Sequence, residues 1–479
     1  MTSPDPLIWR VARAEPAGAT LATPMTAAVP HAVQAAPANP MLSGPLLPLL
    51  ARLALPTVVV MFMVTLLSVA ETYFVSGLGT DAIAAASLVV PVILLMTMVS
   101  NGGIGGGVSQ AIARARGGGQ LAEAESLAWH ALVLGVAFGL VFTLGLWLAG
   151  PTLYRALGGQ GASLEQAVLY SNILFGGAVL SWTLTLLQSA LRGTGNVKVP
   201  ALIIAGSVVI GLAISPALIS GWFGLPQLGV AGAGVSQVLT SLIGLLALVG
   251  YMRSKRSSLR LHRHALRRDH FMAILGVGLP SSLNATMSNL ALTAVTAAAG
   301  RFGVDAIAGY GIASRLDGLL VPILFGFGTA ALTVVATNLG AGQVSRARRA
   351  ALVNALFVAG LLEGLGLLLA LWPQLWLGWF SHSPEVLKVG ALYLQIVAPT
   401  YGLTAIGMEL YFAGQGARRI GWPMLATAVR LTFAVGATVL ASTGAASLAT
   451  AFMLVAAGVF SAALISVVGF ARVSWGPKT

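Results

Sequence analysis

GLGTDAIAAAS (Gly77 to Ser87) returns in the second half of the chain as RFGVDAIAGYG (Arg301 to Gly311). The repeat extends on both sides of these stretches. Leu55-Pro56 recurs as Leu279-Pro280, Pro151 as Pro373, Gly193-Thr194-Gly195 as Gly414-Gln415-Gly416, and Pro200 as Pro423. All these pairs are offset by roughly 221 to 224 positions, so one register lays half the chain on the other. Both halves are strongly apolar. A duplicated, apolar, multi-span chain is the pattern of a secondary transporter whose substrate site lies between its repeats.

Composition fixes the solvent. Of 479 residues, 57% are hydrophobic and 8% charged, and the mean hydropathy is +0.90. A water-soluble domain carries about a quarter charged residues, so this chain cannot cover its surface for water and reads as integral to a membrane. There is no cysteine, which removes disulfides, thiolate metal sites and a thiol nucleophile. Residues 1–45 are rich in Ala, Pro, Thr and Ser and lack a continuous apolar core, so they read as a disordered tail without a signal peptide.

Twelve apolar segments are long enough to cross a bilayer: 52–76, 84–113, 126–150, 166–191, 199–221, 229–251, 271–298, 305–339, 348–371, 387–413, 421–441 and 446–471. The expected fold is an all-α membrane protein of twelve helices in two pseudo-symmetric six-helix bundles. The lobes span 46–251 and 270–472, joined by a basic linker 252–269 and followed by a tail 473–479. Six spans per repeat is an even number, so both repeats enter from the same side.

The net charge of +13 sits almost wholly in alternate loops. Arg114, Arg116, Arg192, Lys198, the run Arg253 to Arg268, Arg346, Arg348, Arg349, Arg418, Arg419, Arg472 and Lys478 follow even-numbered spans. The odd-numbered loops hold only Arg155, Arg301 and Lys388. Such bias marks the cytoplasmic side. It places both termini inside and argues against nucleic acid as a partner; the expected location is the plasma (inner) membrane. The linker reads as a solvated strap beside the bilayer.

The repeats, SVAETYFVSGLGTDAIAA (Ser68 to Ala85), LRGTGNVKVP (Leu191 to Pro200), GVAGAGVSQV (Gly229 to Val238) and ATNLGAGQVSRARRA (Ala336 to Ala350) together resemble multidrug and toxin extrusion (MATE) transporters over about residues 50 to 470. The resemblance implies two lobes forming a V around a central cavity. It also implies export of organic, often cationic compounds in exchange for protons or sodium ions. The family's first span often carries an Asp where this chain has Glu71. Prokaryotic members often add an Asn and an Asp-Pro pair in span five, where this chain has Gly211 and Ser215-Pro216. The second carboxylate is absent there, which favours a proton over sodium as the coupling ion.

A carboxylate in hydrocarbon is costly and marks a functional site by default. Glu71 is the candidate for proton coupling. Thr57, Met61, Val64, Ser68 and Glu71 share one helical face, a stripe suited to a partly wet cavity wall. Asn284 and Met287, with Asn289, are candidate cavity residues in span seven, the methionine being adaptable enough for varied cargo. Arg315, Asp317 and Arg430 lie inside spans and are candidates for substrate contact or gating. Glu409, close in sequence to Arg418 and Arg419, is placed at an inner gate or as a loop anchor, while Glu363 has no partner legible in the sequence.

The run NGGIGGGVSQ (Asn101 to Gln110) lacks a preceding strand and a Gly-Lys-Ser/Thr element, so it reads as close helix packing or a hinge rather than a nucleotide loop. No HExxH occurs, and all six histidines (His31, His130, His262, His264, His270, His382) fall in loops, the tail or span edges, so neither an enzyme nor a metal site is expected. The expected function is a secondary antiporter that exports small organic, cationic or amphiphilic compounds by alternating access, acting as a monomer without a cofactor beyond its coupling ion. The alternative is a flippase for a lipid-linked saccharide, which would line its cavity with several cations.

Overall fold

The computed structural model describes residues 40–224 and 226–476. Most of the expected tail, residues 1–39 with His31, lies outside the described residues, as do 477–479. The tail boundary expected at 45 falls inside an ordered turn. The Met41 carbonyl accepts a hydrogen bond from Asn338 Nδ2 at 3.0 Å, and Arg346 Nη2 donates to the Ser43 and Gly44 carbonyls at 3.2 and 2.8 Å.

Twelve helical spans follow. In the first half they are α1 (Leu46–Ser76), α2 (Thr80–Gly117), α3 (Leu121–Ala156), α4 (Gly161–Gly176 continued by Ala178–Gly193), α5 (Lys198–Ser220) and α6 (Val230–Arg253). The second half adds α7 (Arg268–Gly300), α8 (Val304–Gly340), α9 (Val344–Leu371), α10 (Pro384–Ala417), α11 (Gly421–Ser442) and α12 (Leu448–Arg472). Among the described residues, ten of these, plus the bent pair that forms α4, are long and apolar enough to cross a membrane. The remaining span, α7, has 33 residues but is diluted by Ser281, Ser282, Asn284, Ser288 and Asn289.

Three spans are interrupted. The two parts of α4 meet at 47° around Gly177. In α2 the backbone widens to a π-helix over Met98–Ile104, within the glycine run. In α10 a 3₁₀ turn, Ala398–Thr400, contains Pro399, which has no N–H to donate and crowds the preceding turn.

Two large apolar cores form, one chiefly in each half. The start of α1 crosses over, since Leu46, Leu50, Leu53 and Ala54 are buried in the core of the second half. Helix α8 is central: 78% of its apolar window is buried against 22% for α1. Outside the cores, side chains such as Leu148 (84% exposed) and Leu202 (72%) face outward. In a bilayer that exposure carries no hydrophobic cost.

The halves meet near the ends that carry the basic loops. Gly117 packs on the Thr337 backbone and Gly340 on the Arg114 backbone, each so closely that a Cβ would collide. Gln415 Nε2 of α10 donates to the Gly102 carbonyl of the π segment at 3.0 Å, and Thr333 Oγ1 of α8 donates to the Arg192 carbonyl of α4 at 3.4 Å. The outer part of α2, Thr80–Thr97, packs instead on Gly161–Gly176 of its own half.

The basic linker is less free than its charge suggests. Leu259 and Leu261 are buried in the first core, Arg260 N donates to Glu125 Oε1 at 3.3 Å, and Arg267 N bonds His130 Nε2 at 2.8 Å. His130, expected at a span edge, is wholly buried in α3 and accepts that bond.

Candidate functional site: the cleft between the lobes

A cavity of about 320 Å³ lies between α1, α2, α4, α5 and α8. α1 contributes Thr57, Met61, Val64 and Thr65, spaced to one face of the helix. Across from them α8 contributes Gly318, Val321, Pro322 and Phe325, and α5 contributes Pro200, Ala201 and Ile204. The small residues leave the space, and the wall is mostly apolar. Threonine hydroxyls here are turned back on their own helices, as Thr65 Oγ1 donates to the Met61 carbonyl at 3.1 Å and Thr97 Oγ1 to Ile93 at 2.8 Å.

At the end of the cavity nearer the basic loops stands Arg192. The sequence placed it in a loop after the fourth span; the structure instead buries it in the last turn of α4, 6% exposed. Its Nη2 donates to Asn101 Oδ1 and Ser189 Oγ, both at 2.7 Å. Asn101 is presented by the π segment of α2, so the bulge that seals the lobes also positions this cation.

Glu71 lies further along α1, half-buried, and does not line the cavity. It turns into the first lobe, where Ser215 Oγ of α5 approaches its Oε1 at 3.5 Å. Of the expected stripe, Thr57, Met61 and Val64 reach the cavity wall, whereas Ser68 is exposed and away from it.

In the second lobe Asp317 accepts hydrogen bonds from Tyr393 Oη at 2.6 Å and Tyr401 Oη at 2.5 Å. These tyrosines flank the Pro399 break, and Arg430 of α11 lies on the same side of the lobe, in the neighbourhood of this carboxyl group. Asp317 and Arg430 therefore face the interior of the second lobe rather than the cavity. Arg315, two residues earlier, is exposed and continues the Gly318–Pro322 stripe one turn outward. Asn284 is buried near Tyr411, whose hydroxyl donates to the Ser281 carbonyl at 3.3 Å. Met287 is half-buried, and Asn289 Nδ2 meets Met98 Sδ at 3.3 Å.

Two carboxyl groups have partners the sequence did not reveal. Glu363 Oε2 accepts the Gly402 N–H at 2.8 Å, where α10 restarts after its break. Glu409 is not at the loop with Arg418 and Arg419. It is wholly buried and accepts from Asn354 Nδ2 of α9 at 2.5 Å, which corrects the gate or anchor position expected for it.

A family model described as MatE matches residues 56–217 and 280–436, one stretch in each half of the chain. The chain belongs to the MATE family. A curated relative named as an FAD transporter, from Shewanella oneidensis, is 28% identical over 367 residues, covering 75% of this chain and 80% of that protein. A probable multidrug resistance protein NorM from Thermotoga maritima is 23% identical over 392 residues, covering 79% and 82%. A solved MOP superfamily transporter from Pyrococcus furiosus aligns with TM-score 0.84 at 24% identity, covering 93% of this chain and 99% of that one. An outward-facing MATE multidrug transporter aligns at 0.81 and 23% identity, covering 91% and 97%. The structural likenesses establish the fold.

As a MATE protein the chain is a membrane transporter of the multidrug efflux type and not an enzyme. Sequence reading missed Arg192, Asn354 and the tyrosine pair around Asp317. Arg192 was hidden by the Gly-Thr-Gly that follows it, which reads as a loop although the helix runs to Gly193. The signal available for the tyrosines was Pro399, which falls between them, two residues before Tyr401.

Proposed function

We propose that this MATE transporter exports small organic amphiphiles across the plasma (inner) membrane in exchange for protons, by alternating access. In this reading the basic loops and both termini are cytoplasmic, the working unit is a monomer, and no cofactor takes part beyond the coupling ion. One observation carries the reading. Helix α1 starts in the core of the second lobe, lines the cavity with Thr57 and Met61, and then holds Glu71 against Ser215 inside the first lobe. A proton gained or lost at Glu71 changes the packing of α1 on α5, and that one helix carries the change to the cavity and to the opposite lobe. Cargo and proton then need only favour different arrangements of the lobes.

The partner of Glu71 is a hydroxyl rather than a second carboxylate, which favours proton over sodium exchange. The mostly apolar walls suit amphiphilic cargo. The flippase alternative expects several cations on the lining, and Arg192 is the single charged residue there. The name of the Shewanella relative widens the cargo range to be tested to flavin nucleotides.

The test is transport in proteoliposomes under separately imposed pH and sodium gradients, with a panel of fluorescent amphiphiles as cargo. Movement driven by the pH gradient without sodium is expected. Movement driven by sodium alone, or movement of a lipid-linked saccharide and of no amphiphile, would overturn the proposal.

A further inference from the structure

Arg192 carries the single charge on the cavity wall, and it is positive. Burying a guanidinium is costly unless an anion answers it. Here its bonded partners, Asn101 and Ser189, are both neutral and both engage Nη2. Nε and Nη1 have no hydrogen-bond acceptor among the described residues, yet neither atom is sealed from the cavity. The ion pair found among the described residues is Arg267 with Asp269, in the linker and first turn of α7, so no carboxylate of the protein neutralises Arg192 there. Nε and Nη1 keep N–H groups free on separate sides of the guanidinium, each able to donate to an oxygen of an anion that enters the cavity.

The repeat sharpens the point. The register that sets Gly193-Thr194-Gly195 on Gly414-Gln415-Gly416 sets Arg192 on Ala413, which is wholly buried. The structural position is duplicated and the cation is not.

Resting on the export reading above, we infer that Arg192 is an oxyanion seat. It takes the phosphate or carboxylate of a soluble cargo whose apolar body lies along Met61 and Phe325. Asn101 and Ser189 are positioning residues that hold the guanidinium plane. The seat also senses the state of the lobes, because Thr333 of α8 holds the Arg192 carbonyl and Asn101 belongs to the segment that seals them.

Riboflavin and riboflavin 5′-phosphate share one fluorescent ring system and differ by a phosphate. Their binding to the purified full chain in nanodiscs of neutral lipid is measured by fluorescence anisotropy, with no ion gradient. The wild type is expected to bind the phosphate form more tightly by about tenfold or more. Arg192→Gln is expected to remove the preference, so that the two probes bind alike, and Arg192→Lys to restore part of it. Equal binding of the two probes by the wild type would overturn the seat even if every variant misfolds. Loss of the preference when anionic lipid is added to the nanodiscs would assign the seat to a headgroup and overturn the cargo assignment. Because no gradient is used, failure here is distinguishable from failure of proton-driven export.

Discussion

Glu71, Asp317, Glu363 and Glu409 are four acidic residues in apolar helices, and each meets a different answer to its burial. Glu363 accepts a backbone N–H, Asp317 two phenols, Glu409 an amide, and Glu71 a single distant hydroxyl. The first three are held by partners that fix helix positions, which leaves Glu71 the least constrained. Tyr401→Phe removes one of the two phenols from Asp317. A hydrogen bond to such a group contributes about 1.5–3 kcal/mol, so a lower melting temperature in detergent is expected. Adding Tyr393→Phe should cost a different amount from the sum of the single changes, because both phenols share one carboxyl group. The four acids were legible as exceptions in apolar runs, but their partners were not. The bonds run between α8 and α10, α9 and α10, and α1 and α5, across distances that sequence neighbours do not report. Glu409 shows the hazard: Arg418 and Arg419 are close along the chain, yet helix geometry carries Glu409 into the lobe while they stay at its end.

The twelve spans were readable because an apolar run of bilayer length in lipid has one economical form, a helix with its backbone bonds internal. Their interruptions were not so readable. The π segment of α2 is held by contacts from elsewhere, Gln415 on the Gly102 carbonyl and Arg192 on Asn101. Of the glycine run, Gly103, Gly105, Gly106 and Gly107 are closely packed, whereas Gly102 faces open space. Gly107 lies against the Ile274 carbonyl and the backbone of Gly278 on α7, so a Cβ there meets main chain that cannot turn aside. Gly107→Val is therefore expected to lower stability by about 1–3 kcal/mol through overpacking, seen as a lower melting temperature. An exposed control, Gly360→Val, faces open space and should change little. Glu363→Ala removes the acceptor at the restart of α10 and should cost about 1 kcal/mol, with Glu363→Gln recovering most of it in the same measurement.

At the scale of the molecule, the duplication predicts two lobes and the alternation of basic loops predicts a side, but the contact that closes the lobes depends on backbone approaches no residue type announces. With no cysteine in the chain, paired labels can be added without a background. Gln120→Cys with Ser345→Cys reports the end bearing the basic loops, and Thr80→Cys with Val304→Cys the opposite end; all four positions are exposed. Acidification from neutral pH is expected to change the two distances in opposite senses, as rocking of two lobes requires. Equal change at both ends would indicate swelling instead.

The most direct measurement is uptake of a transported amphiphile into proteoliposomes under an imposed pH gradient without sodium, for the wild type and for Glu71→Gln. Each proton crossing with the field contributes about 2.3 kcal/mol per 100 mV, so a working couple concentrates cargo. The wild type should accumulate it, and Glu71→Gln should bind it with unchanged affinity yet bring it only to equilibrium. Accumulation by Glu71→Gln equal to that of the wild type would contradict proton coupling at this residue.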